Sequence, residues 1–104
     1  IFENMIVMEA IKHRYNMGLE GGVFFYRDSN QNEVDLLIKQ EGELIAIEVK
    51  SSMTYSSSFE KALTQIEGWI KTPISKKAIV YSGDFENTSG NINLINYRHI
   101  SSIL

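Results

Sequence analysis

The chain has no cysteine and only one proline among its 104 residues. The first absence excludes a disulfide scaffold, a thiolate zinc site and a cysteine nucleophile. It agrees with a reducing cytoplasm, the compartment expected here. No apolar run approaches the roughly 18 residues of a membrane span, and no signal peptide precedes the fold, so no membrane partner is expected. An excess of positive charge is missing too. Ten basic residues stand against 13 acidic ones, net -3, which excludes a strongly basic nucleic-acid binder.

What is present describes one ordinary globular domain over residues 1–104. Hydrophobic residues make 43% and charged residues 22%, near the soluble average. A chain of this size buries about two-thirds of its unfolded surface, enough for one core. The charge is uneven. Residues 1–50 carry 9 acids and 5 bases, whereas residues 51–104 carry 4 acids and 5 bases. The first half is therefore the place to look for a site. The sequence opens at Ile1 rather than methionine and is read as a fragment of a longer protein.

Residues 2–17 carry Phe2, Ile6, Ala10 and His13 at helical spacing, and Gly18, Gly21 and Gly22 end the helix. Val23 to Arg27 reads as a strand and Asp28 to Asn32 as a turn cluster. Glu33–Lys39 and Glu43–Lys50 are two more strands joined near Glu41-Gly42. Phe59, Leu63, Ile66 and Ile70 predict a second amphipathic helix, capped by Ser57 or Ser58 and stopped by Pro73. Lys77–Tyr81 and Ile92–Tyr97 supply two further strands, followed by a short helical turn. The α-β-β-β-α-β-β order predicts an α/β fold, a mixed sheet flanked by helices.

The two central strands carry the chemistry. Val34, Leu36 and Ile38 alternate along the first, and Ile45, Ile47 and Val49 along the second. A hairpin with an even loop sets opposed residue numbers to sum to 83. Val34 then meets Val49, Leu36 meets Ile47, and Ile38 meets Ile45. A one-residue slip would destroy that match. The same register sets Asp35 opposite Glu48 and Glu33 opposite Lys50. Opposed carboxylates repel, and a divalent cation such as Mg²⁺ or Mn²⁺ is the natural partner for two hard oxygen ligands. Lys50, two residues beyond Glu48, points to the same face and would hold a phosphate or orient a water. The competing reading is a cross-strand Glu33–Lys50 ion pair with Asp35 and Glu48 on a solvated face. Leu37, Leu44 and Ala46 share that face, which implies partial burial, and buried acids need a partner.

Asp35 on one strand, followed by Glu48-Val49-Lys50 on the next, resembles the signature of the PD-(D/E)xK nuclease superfamily. Val34 stands where the family name has proline, a residue that is not a ligand. The element order matches that family's restriction-endonuclease-like αβββαβ core. More narrowly, Phe2-Glu3-Asn4, Asn32-Glu33-Val34-Asp35 and Glu48-Val49-Lys50-Ser51 resemble the C-terminal nuclease-like domain of prokaryotic AAA-type ATPases. The chain itself has no P-loop motif, so an upstream ATPase domain in the same protein is implied. The resemblance further implies Mg²⁺ (or Mn²⁺) held by Asp35 and Glu48, with the Val49 carbonyl and a first-helix glutamate completing the set. Glu3 is that candidate and Glu9 the alternative; about 240° apart around the helix, they cannot serve one site together. Glu3 is equally suited to the helix dipole alone. Gln65 and Trp69, spaced i, i+4, resemble the Gln-x-x-x-Tyr element of RecB-type nucleases, with an incidental glutamine and a core tryptophan as the rival reading. The implied chemistry is hydrolysis of DNA phosphodiester bonds, with Asp35, Glu48 and Lys50 catalytic. A second class stays open: a binding or regulatory module that serves the ATPase with weak or no cleavage. A third is a structural domain that mediates oligomerisation.

His13 and His99 have no partner at metal-ligand spacing, and no Gly-x-Ser-x-Gly supports a serine nucleophile. Lys71, Lys76 and Lys77 could meet a nucleic-acid backbone but read first as a solvated helix end and strand start.

Overall fold

The first helix, α1 (Phe2–Asn16), buries Ile6 and Ala10. Glu3 stands in its first turn and His13 and Arg14 in its last, the charge order that complements a helix dipole. Gly18 takes a positive φ of 78°, and the chain turns back there into the sheet. A computed structural model describes residues 1–104.

Five strands follow: β1 (Val23–Arg27), β2 (Glu33–Gln40), β3 (Glu43–Lys50), β4 (Ile74–Tyr81) and β5 (Asn93–Asn96). They form one mixed sheet in chain order. β1, β2 and β3 are antiparallel neighbours; β3, β4 and β5 run parallel. The crossover from β3 to β4 carries a short helix, α2 (Lys61–Gln65), between 3-10 turns at Ser57–Glu60 and Ile66–Gly68. β4 begins at Ile74, three residues before the expected start. The C-terminal Tyr97–Ile103 segment is a kinked 3-10 helix. No helix is long and apolar enough to cross a membrane.

Each sheet face has its own core, as an α/β layer requires. On one side α1 and the C-terminal segment pack Ile6, Ala10, Ile100 and Ile103 against Leu36, Ile38, Ile45, Ile47 and Val49. On the other, Leu63 and Ile66 cover Val34, Leu37, Leu44, Ala46, Ile79 and Tyr81. β3 is central, and residues Leu44 to Val49 are all buried.

The β2–β3 hairpin has the expected register. Leu36 pairs with Ile47 and Ile38 with Ile45. Glu41 and Gly42 take φ of 53° and 81°, both positive as a two-residue type I′ turn requires. At the far end the expectation fails. The paired ladder stops at Leu36–Ile47. On the other side of β2, Phe24 pairs with Leu37 but Tyr26 pairs with Val34, so β2 holds one extra residue. This bulge breaks the two-residue alternation. Val34 consequently joins the α2-side core rather than meeting Val49. Glu33 is carried to Arg27, 3.7 Å away, instead of Lys50. The α2 entry also differs: Ser56, not Ser57 or Ser58, is the cap, and its side chain accepts from the Ser58 N–H.

Candidate functional site

The bulge ends the regular ladder where the acidic residues stand, and side chains take over the pairing. The Val49 N–H donates to Asp35 Oδ2 at 2.8 Å, and the Asp35 N–H donates to Glu48 Oε1 at 3.2 Å. Each carboxylate thus crosses to the other strand's end and is fixed there through one oxygen. Asp35 Oδ1 has no hydrogen-bond partner in the chain, and Glu48 Oε2 faces the Lys50 ammonium at 3.9 Å. Lys50 also lies over the Phe59 ring, 5.5 Å from its centre, a cation–π placement that steadies a long side chain.

The electrostatics follow from burial and from like charges. Glu48 is only 7% exposed. Loss of water, joined by the Asp35 charge, pushes its carboxyl up to about 7, against the pull of the Asp35 N–H and Lys50. Asp35 is half-buried, and its carboxyl is raised by burial and to a smaller degree by Glu33, with the Val49 N–H and Lys50 opposing. Glu3 is raised by partial desolvation, then by Asp35 and Glu33. Asp35 and Glu33 on β2 therefore raise both Glu3 on α1 and Glu48 on β3. These acids remain too spread to form a cage: no three acidic or imidazole groups converge tightly enough to hold a metal ion.

Two clefts flank this cluster. One, of about 250 Å³, opens on the α2 side and is lined by Asn32, Glu48, Lys50, Lys61, Gln65 and Trp69 among others. The second, of about 320 Å³, lies on the α1 side, between Glu3 and the Val49–Ser51 strand end. Gln65 and Trp69 thus share the cleft that Glu48 and Lys50 enter. Trp69 stacks on Tyr26, 5.9 Å between centres and 7° from parallel, and walls that cleft. Glu9 is elsewhere, in a cavity with Met5, Tyr97 and Arg98. Of the two helix glutamates, only Glu3 stands at the cluster.

Lys61 was not singled out by the sequence, yet it lines the cleft one helical turn before Gln65. The spacing Lys61, Gln65, Trp69 is the signal that would have found it. His99 also has a partner that sequence spacing did not show: its Nδ1 lies 2.7 Å from Glu86 Oε2. That contact, with the Asn96 N–H, holds the Glu86 carboxyl below its usual range. Lys77 is engaged by Glu67 at 2.8 Å, so it acts as an ion-pair partner in this fold.

An α/β domain with a mixed five-stranded sheet and a carboxylate pair at a bulged strand end is the class these observations define. The chain belongs to the family described as Domain of unknown function (DUF4143), whose model matches residues 1–100. No curated protein and no solved structure matches the chain.

Proposed function

We propose that this chain is a metal-dependent nuclease domain of the PD-(D/E)xK type that hydrolyses phosphodiester bonds in DNA. The observation that carries the reading is the cross-locked pair: Asp35 and Glu48 each spend one oxygen on the opposite strand's backbone and leave the other for a ligand, beside Lys50. These are hard oxygen donors, suited to Mg²⁺ or Mn²⁺, which bind through one or two carboxylates and keep several waters. The sequence resemblance adds the Val49 carbonyl, and Glu3 as a more distant carboxylate that does not converge with Asp35 and Glu48. When bound, the cation would acidify a water and neutralise phosphate charge.

The chain's own groups do the rest. Hydrolysis adds water across a P–O bond and yields a phosphate monoester and a free hydroxyl. The Lys50 ammonium meets a non-bridging phosphate oxygen or orients the attacking water, and so stabilises charge that grows in the transition state. Lys61 and Gln65, on the opposite wall, offer further donors to a phosphate or sugar. Asp35 and Glu48, pinned by backbone N–H groups, need little reorganisation to bind.

Calorimetric titration with Mn²⁺, beside an Asp35→Asn control, tests the metal. Saturable binding lost in the control is expected. Nicking of duplex DNA in Mg²⁺ tests the chemistry; Asp35→Asn and Lys50→Ala should abolish it with the fold unchanged by circular dichroism. Cleavage that survives both substitutions removes these residues from the mechanism.

One observation favours a second reading. The acidic groups do not gather into a three-ligand cage, which suits a nucleic-acid-binding or regulatory module of an AAA-type ATPase, as the sequence resemblance implies. DNA retention by the Asp35→Asn variant, with no cleavage by the native chain under any divalent ion, would support that reading over the first.

A further inference from the structure

The two edges of the sheet are treated differently. β5 is covered: Asn87 and Leu94 exchange backbone hydrogen bonds at 3.0 and 2.8 Å. β1 pairs only with β2. Its sequence, Val23-Phe24-Phe25-Tyr26-Arg27, has no proline to blunt an open edge, and its one charge, Arg27, stands at the strand end and pairs with Glu33 at 3.7 Å. Phe24 is 52% exposed and Phe25 77%, a high figure for aromatic residues on a strand.

The backbone fixes how that edge can pair. The Gly22 carbonyl accepts from the Lys39 N–H and so faces β2. By alternation along the strand, the N–H and C=O groups of Val23, Phe25 and Arg27 face away from β2. We propose that the chain forms a two-fold symmetric dimer by antiparallel pairing of β1 with β1 of a second copy, centred on Phe25. This register alone engages all three outward-facing residues: Phe25 pairs with Phe25, and Val23 of each copy with Arg27 of the other. The side chains then match without adjustment. Phe25 meets Phe25 on the α1 face. On the α2 face, Phe24 of each copy meets Tyr26 of the other at a non-hydrogen-bonded position, where side chains approach most closely. Three of the five cross-strand contacts are thus aromatic pairs, a favourable class, and the other two set Val23 against Arg27 at the rim. A self-complementary patch of this kind is what an isologous two-fold interface needs.

The area is sufficient. Aromatic side chains of this size expose about 150–250 Å² when free, so the two phenylalanines offer roughly 250 Å² per copy at the stated exposures. Tyr15, 71% exposed, and Leu19, 41% exposed, border the groove that Val23 also lines. With them and the strand backbone, the pair buries on the order of 1,000–1,200 Å², the lower end of specific interfaces. The pairing is closed, because it consumes the open edge and the β5 edge is already capped. A dimer results, and not a fibre.

Sedimentation equilibrium on the 104-residue chain from about 1 to 200 µM should show a monomer–dimer equilibrium in the micromolar range. Phe25→Lys places like charges on the two-fold axis and should weaken the dimer at least tenfold, with the circular dichroism spectrum unchanged. Met8→Lys, on the exposed face of α1, should leave it intact. Because the chain has no cysteine, Phe25→Cys provides a geometric test. Residues paired at a hydrogen-bonded antiparallel site lie about 5.5 Å apart at Cα, within disulfide range. Mild oxidation should link this variant covalently, and a Phe85→Cys control should stay monomeric under the same conditions. A native chain that remains monomeric throughout the range would overturn the proposal. So would a dimer lost in Met8→Lys and kept in Phe25→Lys, or equal cross-linking at positions 25 and 85. None of these outcomes depends on nuclease activity.

Discussion

Glu48 should cost the metal-free fold stability, by an amount set by pH. Its carboxyl stands at about 7 in the folded chain against an ordinary 4.5. The folded state therefore binds the proton more tightly than the unfolded one. Below pH 4.5 both states are protonated, and the residue costs nothing by this route. Between pH 4.5 and 7, unfolding releases a proton, so stability falls as pH rises; above 7 the loss is complete. At about 1.4 kcal/mol per pKa unit, the full loss is about 3 kcal/mol. Glu48→Gln removes the charge at every pH and keeps an oxygen to accept the Asp35 N–H. The variant should match the native chain near pH 4.5 and exceed it by about 2–3 kcal/mol at pH 8. For a domain of this size that is roughly 10–15 °C in Tm. Urea unfolding of both proteins in EDTA from pH 4 to 9 measures the difference for Glu48 together with its coupling to Asp35, and effects of carboxylates remote from this pair cancel between them. A stability difference that does not change with pH would refute the reasoning. So would a variant less stable than the native chain at pH 8.

Three further substitutions test the fold that carries the site. Ser56→Ala removes the side chain that caps the turn before α2 and should cost about 1 kcal/mol in thermal or urea unfolding. Glu41→Gly relieves a positive φ on a residue with a Cβ and should stabilise the hairpin by about 0.5–1 kcal/mol, seen as a higher urea midpoint with the slope unchanged. Ile47→Ala empties a fully buried position on the central strand and should cost about 2–5 kcal/mol in the same measurement.

The hairpin register was legible because it rests on short-range alternation. Leu36, Ile38, Ile45 and Ile47 can all be buried in only one pairing, and the even loop permits it. The same logic misplaced Val34. Alternation is a rule of regular strands, and the bulge is set by the neighbour on the other side: Tyr26, which must reach both Val34 across the ladder and Trp69 across the layer. No local pattern in Glu33-Val34-Asp35 announces it. The Glu86–His99 contact was hidden for a related reason. Its partners lie 13 residues apart on segments joined only by the turn of the chain around β5. The α2 helix was legible in its apolar spacing, since Leu63 and Ile66 are both fully buried. Its shortness was not, because the flanking 3-10 turns satisfy the same spacing nearly as well.

The misplaced residue explains the site better than the expected register did. Had the ladder continued to an Asp35–Glu48 pair, regular strand pairing would have taken the backbone bonds there and left both carboxylates to repel across one face. The bulge ends the ladder one residue pair earlier. Backbone donors that would have paired with carbonyls are turned to the carboxylates, and each acid is held by an N–H of the strand it faces. This offsets part of the desolvation of Glu48 and Asp35 but leaves both carboxyls raised. The strain is thus moved from backbone pairing into proton affinity, which the cation proposed for this site would relieve. Mg²⁺ at millimolar concentration should therefore raise the Tm of the native chain at pH 8 and leave that of Glu48→Gln unchanged. An equal rise in both proteins would show that the ion acts elsewhere.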